Sequence, residues 1–365
     1  MSRAAVVAGL GAWTPPTLVT NDDLAARLDT DDEWIRTRTG IRQRHVVGPG
    51  QATSDLAVEA GRRALASAGV ERAGLLVVAT STPDQPLPAT APQVADRLGL
   101  GTVPAFDVSA VCTGFVYALA TAAGLIATGV ADTALVIGAD AFSTILDPAD
   151  RATRVLFGDG AGAVLLRAGS PDEPGALDGV HLGSDGSQHR LIERPGGGSR
   201  TGAALAAAAG GQLNGQLLAA GDADGHAAAH DGYLTMQGRA VFAQAVQRTA
   251  ETVRATAERL RWPLEAIDRL VLHQANARIS AAVGQRLGTP ADRLVSNIDR
   301  VGNTAAASIP LVLADAAAAG DLRPGHRVVL AGFGGGLTWG SVGLVWPRLR
   351  GGPIPAAGPS DSPTL

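Results

Sequence analysis

Continuous apolar runs bounded by turn residues alternate with Ala-rich amphipathic stretches along this 365-residue chain. The opening run "AAVVAGLGAW" and those at 74–82, 133–140, 162–168, 269–274, 327–334 and 339–347 read as strands. Their lack of polar alternation predicts sheets covered on both faces. Helical spacing marks 53–68, 91–98, 113–128, 239–260 and 275–287. Together these predict a layered α/β protein. Each half runs strand, turn, helix and closes on a Gly-rich hairpin, "FGDGAGAVLL" in the first and "GFGGGLTWGSVGLV" in the second. A duplicated fold is expected, with halves 1–172 and 173–350. The Gly/Ala tract 196–230 reads as a surface insertion and the Pro/Gly/Ser-rich 351–365 as a disordered tail.

Composition narrows the classes. Net charge is −4, so no basic field marks a nucleic-acid binder. Every basic residue is Arg, which excludes a Schiff-base lysine. The single cysteine, Cys112, excludes an internal disulfide and a cysteine zinc cluster. No run approaches the roughly 20 apolar residues of a membrane span. A cytoplasmic protein without metal or membrane partner is expected.

Four features could carry chemistry. Cys112 stands between the strand-like "VPAFDV" and a helix, where the helix dipole would lower its pKa. A lone cysteine more often only fills space. His273 ends the strand "RLVL", where α/β sites form, although a structural histidine fits there equally. Asn303 lies in "VGNTAAASIP", a tight turn into a helix, and turn chemistry alone would explain it. The loop "GFGGG" could bring backbone N–H groups to an oxyanion or simply bend for packing. "GDGAGA" matches G-x-G-x-x-A but precedes a β-run, so it is read as a hairpin and not a dinucleotide loop. Taken together, thiol, histidine, asparagine and glycine loop are equipment for carbon–carbon bond formation on an acyl-enzyme.

The motifs "DDEWIRTRTGIRQRH", "PAFDVSAVCTGFVYAL", "DPADRATRVLFGDGAGA", "YLTMQGRAVF", "VLHQANARI", "GNTAAASIP" and "GFGGGLTWGS" agree in order and spacing with one family. Over residues 3–348 the chain resembles ketoacyl synthase III of the thiolase superfamily. That resemblance implies a five-layered αβαβα thiolase fold of two similar halves, a homodimer, and no cofactor beyond a CoA thioester substrate. It places the catalytic roles on Cys112, His273 and Asn303. The amides of Cys112 and Gly335 would form the oxyanion hole, with Phe333 beside the malonyl carboxylate. The implied reaction condenses an acyl-CoA with malonyl-acyl carrier protein (ACP), with loss of carbon dioxide. Trp34, Arg38 and Arg151 match CoA contacts, Trp34 and Arg151 sandwiching the adenine. Gly238 and Asn276 match positions beside the pantetheine, and Phe242 the tunnel wall. Leu156 and Phe157 fall in the acyl-binding motif. Leu87 matches a residue that a partner subunit pushes into the acyl pocket; its modest volume points to a starter larger than acetyl. Arg278 and Arg286 remain as carrier-protein contacts, while Ala243 and Arg239 depart from the family's docking pattern.

Other readings were weighed. A plain thiolase needs a second catalytic cysteine, which is missing. A chalcone-synthase-like enzyme shares Cys/His/Asn, but "DDEWIRTRTG" and "GFGGG" favour the carrier-dependent branch. A non-condensing acyltransferase to an alcohol or amine, and an inert partner subunit, complete the alternatives.

Overall fold

Two five-stranded mixed sheets organise the computed structural model, which describes residues 3–200 and 232–349 and the backbone of 212–213 and 216–217. The first sheet holds β1 Ala4–Trp13, β2 Leu76–Ala79, β3 Ala105–Val108, β4 Thr133–Asp140 and β5 Gly160–Gly169, in the order β1-β5-β4-β2-β3. The second holds β6 Asp178–Ser184, β7 Arg269–Leu272, β8 Leu294–Val295, β9 Arg327–Gly334 and β10 Thr338–Val345. Its order, read from the matching edge, is β6-β10-β9-β7-β8. Both sheets therefore run first, fifth, fourth, second, third. Strand senses agree as well: the first three in each order are antiparallel and the last three parallel. Most of the insertion read at 196–230, and all of the tail at 351–365, lie outside the described residues.

The helices are α1 Asp32–Thr39, α2 Thr53–Ala68, α3 Thr90–Arg97, α4 Gly114–Ala127, α5 Gly238–Leu260, α6 Ala277–Leu287 and α7 Ser308–Ala319. Helices α2 and α3 cover the outer face of the first sheet, burying Leu56, Leu65 and Val94 against Leu76 and Ile137. Helices α5 and α6 cover the second, through Val253 and Val283 against Leu270 and Val329. Between the sheets lie α4 and α7, whose Phe115, Leu119, Ile309 and Val312 join residues of both sheets in one core. The layers are thus αβαβα. Helices α4 and α7 are apolar nearly all round because sheets face them on both sides.

Two expectations are corrected. The strand read over 74–82 stops at Ala79, because Thr80, Ser81 and Thr82 turn to donate hydrogen bonds to Asp140 Oδ1. "FGDGAGAVLL" is not a hairpin: β5 is one straight strand paired with both β1 and β4, reached by the loop 141–159. "GFGGGLTWGSVGLV" is a true hairpin, with Gly334 opposite Thr338.

The halves meet through tight backbone contact. A Cβ at Gly138 of β4 would stand 2.3 Å from the Ala306 carbonyl oxygen. Gly138→Ala should therefore cost about 1–3 kcal/mol through overpacking. Urea denaturation measures this; an unchanged midpoint would contradict the contact.

Candidate active site

Cys112 lies in the single 3₁₀ turn Val111–Thr113, which passes straight into α4. Val111 adopts φ +47°, an uncommon conformation for a β-branched residue. The second half repeats this device. Ala305, also at φ +47°, opens the 3₁₀ turn Ala305–Ala307, which runs into α7. Cys112 and Ala306 thus occupy matching positions, and only the first half carries a thiol. Gly334 presses on Cys112: a Cβ there would lie 2.8 Å from the Cys112 nitrogen. Among the described residues, no backbone carbonyl takes the Cys112 or Gly335 N–H, and the Cys112 N–H interacts with its own sulfur.

The thiol's electrostatics reverse the expected direction. Burial, and then the Asp140 carboxyl, push its pKa far above the usual thiol value. The dipole of α4 does not offset the desolvation of a buried thiolate. Burial thus favours the neutral thiol in the resting protein.

His273 follows β7, with its N–H donating to Ala331 O at 2.8 Å. Its Nδ1 lies 2.6 Å from Ser308 Oγ, at the start of α7. The Gln274 N–H donates to the same Oγ at 3.2 Å. Both Ser308 and His273 are buried. The hydroxyl hydrogen of Ser308 has no other acceptor among the described residues, so it is assigned to Nδ1. That network leaves the His273 proton on Nε2, as a donor. Burial pulls the imidazole pKa down to about 3, which keeps the ring neutral.

Asn303 is fixed from both sides. Its backbone N–H donates to Leu156 O at 2.8 Å and its carbonyl accepts from Gly158 N at 3.0 Å. Its Oδ1 accepts from the Ala305 N–H at 3.0 Å. Its side-chain NH₂ therefore remains to donate elsewhere. Asp140, at the end of β4, secures the next amide: Oδ2 accepts from Ala306 N at 2.9 Å. Desolvation raises the Asp140 pKa to about 7, opposed by hydrogen bonds from Ser81, Ala306, Thr80 and Thr82.

Apolar residues line the thiol's surroundings. Cys112 packs in one cluster with Phe142, Ile145, Leu146, Phe157, Leu234 and Ala305, with Leu156 at its margin. The Phe142 and Phe157 rings stack with centroids 4.5 Å apart. Phe333 is buried against Val241 and Ala245 of α5 and shares a small cavity with His273. Cys112 thus packs with Phe157, which bridges to Asn303, and Gly334 connects this cluster to the adjoining cavity of Phe333 and His273.

The remaining candidates lie farther out. Arg151 and Arg38 stand over the half-buried Trp34 ring at 4.9 Å and 5.8 Å. A ring between Trp34 and Arg151 would need about 7 Å, two van der Waals contacts. The expected adenine sandwich is closed here, and Arg151 would have to swing away. Asn276 caps α6, accepting from Arg278 N, and its Nδ2 donates to Arg38 O at 3.1 Å. It ties the Trp34 helix to the second half. Gly238 opens α5 with nothing within 4 Å of its Cβ direction, and Phe242 is half-buried on the same helix. Arg278 and Arg286 are both exposed on α6. Leu87 is 85% exposed.

Sequence reasoning missed Ser308, Asp140 and Phe142, whereas Leu234 lies in the "YLTM" stretch matched to the tunnel wall. Only Asp140 left a signal, a charged residue closing the otherwise apolar run "TALVIGAD". The others are ordinary residue types whose roles depend on long-range approach.

The duplicated five-layer fold, with its cysteine turn, histidine and asparagine set at strand ends, defines an acyl-transferring condensing enzyme of the thiolase type. Comparison with known proteins narrows this. Residues 106–186 match the 3-oxoacyl-[acyl-carrier-protein] synthase III family, and residues 257–346 match its C-terminal domain. A β-ketoacyl-[acyl-carrier-protein] synthase III of Streptomyces coelicolor is 54% identical over 96% of this chain and 99% of its own length. The Pseudomonas aeruginosa synthase III crystal structure superposes with a TM-score of 0.84 at 50% identity, covering 95% of this chain and 99% of that one. A priming β-ketosynthase from a polyketide biosynthetic pathway gives a TM-score of 0.83 at 30% identity, over 96% and 98%. The chain belongs to the 3-oxoacyl-[acyl-carrier-protein] synthase III family.

The His273 assignment has a direct check. A folded pKa of about 3 against 6.5 unfolded means stability from this group is present above pH 6.5 and lost as pH falls towards 3. Asp140, raised from 3.8 to about 7, has the opposite slope between those values. The two nearly cancel in global stability. Nitrogen-15 NMR of labelled histidine separates them: His273 should show a protonated Nε2, an unprotonated Nδ1 and no titration between pH 5 and 9. A resonance titrating near 6.5 would refute the assignment.

Proposed function

We propose that this enzyme condenses an acyl-CoA starter with malonyl-ACP through an acyl thioester on Cys112. The observation that carries the reading is the pairing of a nucleophile turn in one half with an Asn303 turn in the other, each held by backbone of its opposite.

In the first half-reaction the Cys112 sulfur attacks the thioester carbonyl of acyl-CoA. The Cys112 and Gly335 N–H groups, which no backbone carbonyl takes, meet the tetrahedral oxyanion. The carbon–sulfur bond to CoA breaks, and the proton of Cys112 ends on the departing CoA sulfur. No net proton acceptor is needed, which suits a resting thiol and a neutral His273.

Malonyl-ACP then replaces CoA. Its carboxylate leaves as carbon dioxide, and the electron pair moves onto the malonyl thioester as an enolate. His273 Nε2–H and Asn303 Nδ2–H donate to the enolate oxygen. Phe333 supplies an apolar wall that disfavours the solvated carboxylate. The enolate carbon attacks the acyl-Cys112 carbonyl and expels the cysteine thiolate, giving 3-oxoacyl-ACP; the thiolate is then reprotonated.

Trp34, Arg38 and Arg151 are assigned to the CoA nucleotide, and Gly238, Phe242 and Asn276 to the pantetheine path. Leu156 and Phe157 line the acyl chain. Arg278 and Arg286, exposed on one helix, suit an acidic carrier protein. A homodimer fits the exposed Leu87 and the open edge β3, whose four residues are all half-buried.

Two tests follow. Cys112→Ala should form no acyl-enzyme yet still decarboxylate malonyl-ACP. His273→Ala and Asn303→Ala should acylate yet lose decarboxylation by about 10²–10³-fold, the usual weight of one oxyanion donor. Mass spectrometry and carbon dioxide release read these outcomes, and equal loss of both steps in all three would contradict the division of roles. Leu87→Asp should weaken the dimer in sedimentation; a dimer unchanged at micromolar protein would remove Leu87 from the interface.

A further inference from the structure

A cavity of about 470 Å³ opens between the antiparallel strand pair Thr17–Thr20/Gln43–Val46, the loop 47–51 and the turn 143–146. Its lining includes the apolar Val19, Leu24, Leu146 and Phe157 and two guanidinium groups, Arg44 and Arg154.

Arg44 is 1% exposed. It donates to Val19 O, Asn21 Oδ1 and Val155 O, at 3.3, 2.9 and 2.8 Å, all neutral acceptors. Its buried Nε has no hydrogen-bond partner among the described residues. Burial, then the charge of Arg154, bring its pKa down to about 10, so it remains a cation at neutral pH. Arg154 makes one long bond, to Ser143 O at 3.4 Å. Neither has a carboxylate within ion-pair distance among the described residues.

The acid nearby, Asp159, is already engaged. Its oxygens accept from Val47 N, Ser143 N and Ser143 Oγ at 2.8, 2.8 and 2.5 Å. Burial pushes its pKa up while Arg154 draws it down. Two cations therefore face one largely occupied carboxyl, and a buried charge without a partner is costly. An anion entering the cavity would meet the half-buried Arg154, with the buried Arg44 cation also in the lining. Val19, Leu24, Leu146 and Phe157 in the same lining suit an anion that carries an aliphatic chain. Cavities of this size and mixed lining hold small amphiphiles.

We infer that this cavity binds an aliphatic carboxylate, its head on Arg44 and Arg154 and its chain on Val19, Leu24, Leu146 and Phe157. Leu146 and Phe157 also pack around Cys112. The carboxylate therefore has two sources: a free fatty acid acting as an effector, or the far end of a dicarboxylic acyl chain carried on Cys112. The second source rests on the acyl-Cys112 reading; the first does not.

Calorimetry with octanoate and with uncharged octanamide tests this, on the full-length protein and on R154M and R154K. Octanoate should bind at least about tenfold more tightly than octanamide, a difference readily resolved. R154M should lose that preference and R154K should keep most of it. Arg154 is only half-buried, and the melting temperatures of both variants report folding. Prior alkylation of Cys112 with iodoacetamide assigns the source. Binding that survives alkylation means that a free carboxylate fills the cavity apart from the thiol's space, and binding that disappears means that the cavity is continuous with the space at Cys112, as the chain-end source requires. Equal affinity for octanamide, an unchanged preference in R154M, or no octanoate binding at millimolar concentration would overturn the proposal. Turnover is not read, so a failed condensation reaction leaves this result standing.

Discussion

The whole site depends on how closely backbone from one half can approach a turn of the other. Gly138 of β4 lies under the Ala306 carbonyl, and Gly334 of β9 lies against Cys112. Each contact leaves no room for a side chain. At the first, the Asp140 carboxyl adds a hydrogen bond to the Ala306 N–H, and its other oxygen holds Thr80, Ser81 and Thr82. This buried acid links the strand ends of one half to the asparagine turn of the other. It has no cation partner in these contacts, only N–H and O–H donors, and burial raises its pKa to about 7. Its stabilising role is geometric more than Coulombic.

The repeated strand order explains why such different residues reach one place. In each half a 3₁₀ turn after the third strand leads into a buried central helix. The thiol occupies that turn in the first half. In the second half, the same turn holds only alanines, and Asn303 before it and Ser308 after it carry the polar groups. Duplication supplied two equivalent turns facing each other across the core. The proposed chemistry divides accordingly: the first turn would hold the acyl group, and the second, with His273, would address the charge that develops when the malonyl unit loses carbon dioxide.

Much of this was legible from residue order. The strands "TALVIGAD" and "RVVLAGFG" and the long helix after Gly238 coincide with the structure because their apolar patterns are continuous and their ends carry turn residues. Cys112, His273 and Asn303 were legible through motif order, since each stands at a strand end or helix start. The thiol's electrostatics were not. A helix start predicts a lowered pKa, whereas burial among Phe142, Phe157 and Leu234 decides the opposite, and burial comes from segments up to 222 residues away in the chain, where Gly334 presses on Cys112. The glycines of "GDGAGA" looked like a turn because their packing against the Pro310 helix is invisible locally. Ser308 was equally hidden, as nothing in "AAASIP" indicates a histidine 35 residues earlier.

The central claim is that one thiol carries the acyl group between two substrates. The most direct measurement is intact-mass spectrometry of the wild-type protein during a single turnover, first with an acyl-CoA and then with malonyl-ACP. The account predicts one acyl adduct, located on Cys112. On adding malonyl-ACP it should disappear with stoichiometric carbon dioxide and 3-oxoacyl-ACP. An adduct that persists through malonyl-ACP while carbon dioxide is absent, or one that passes to an alcohol or amine, would contradict it.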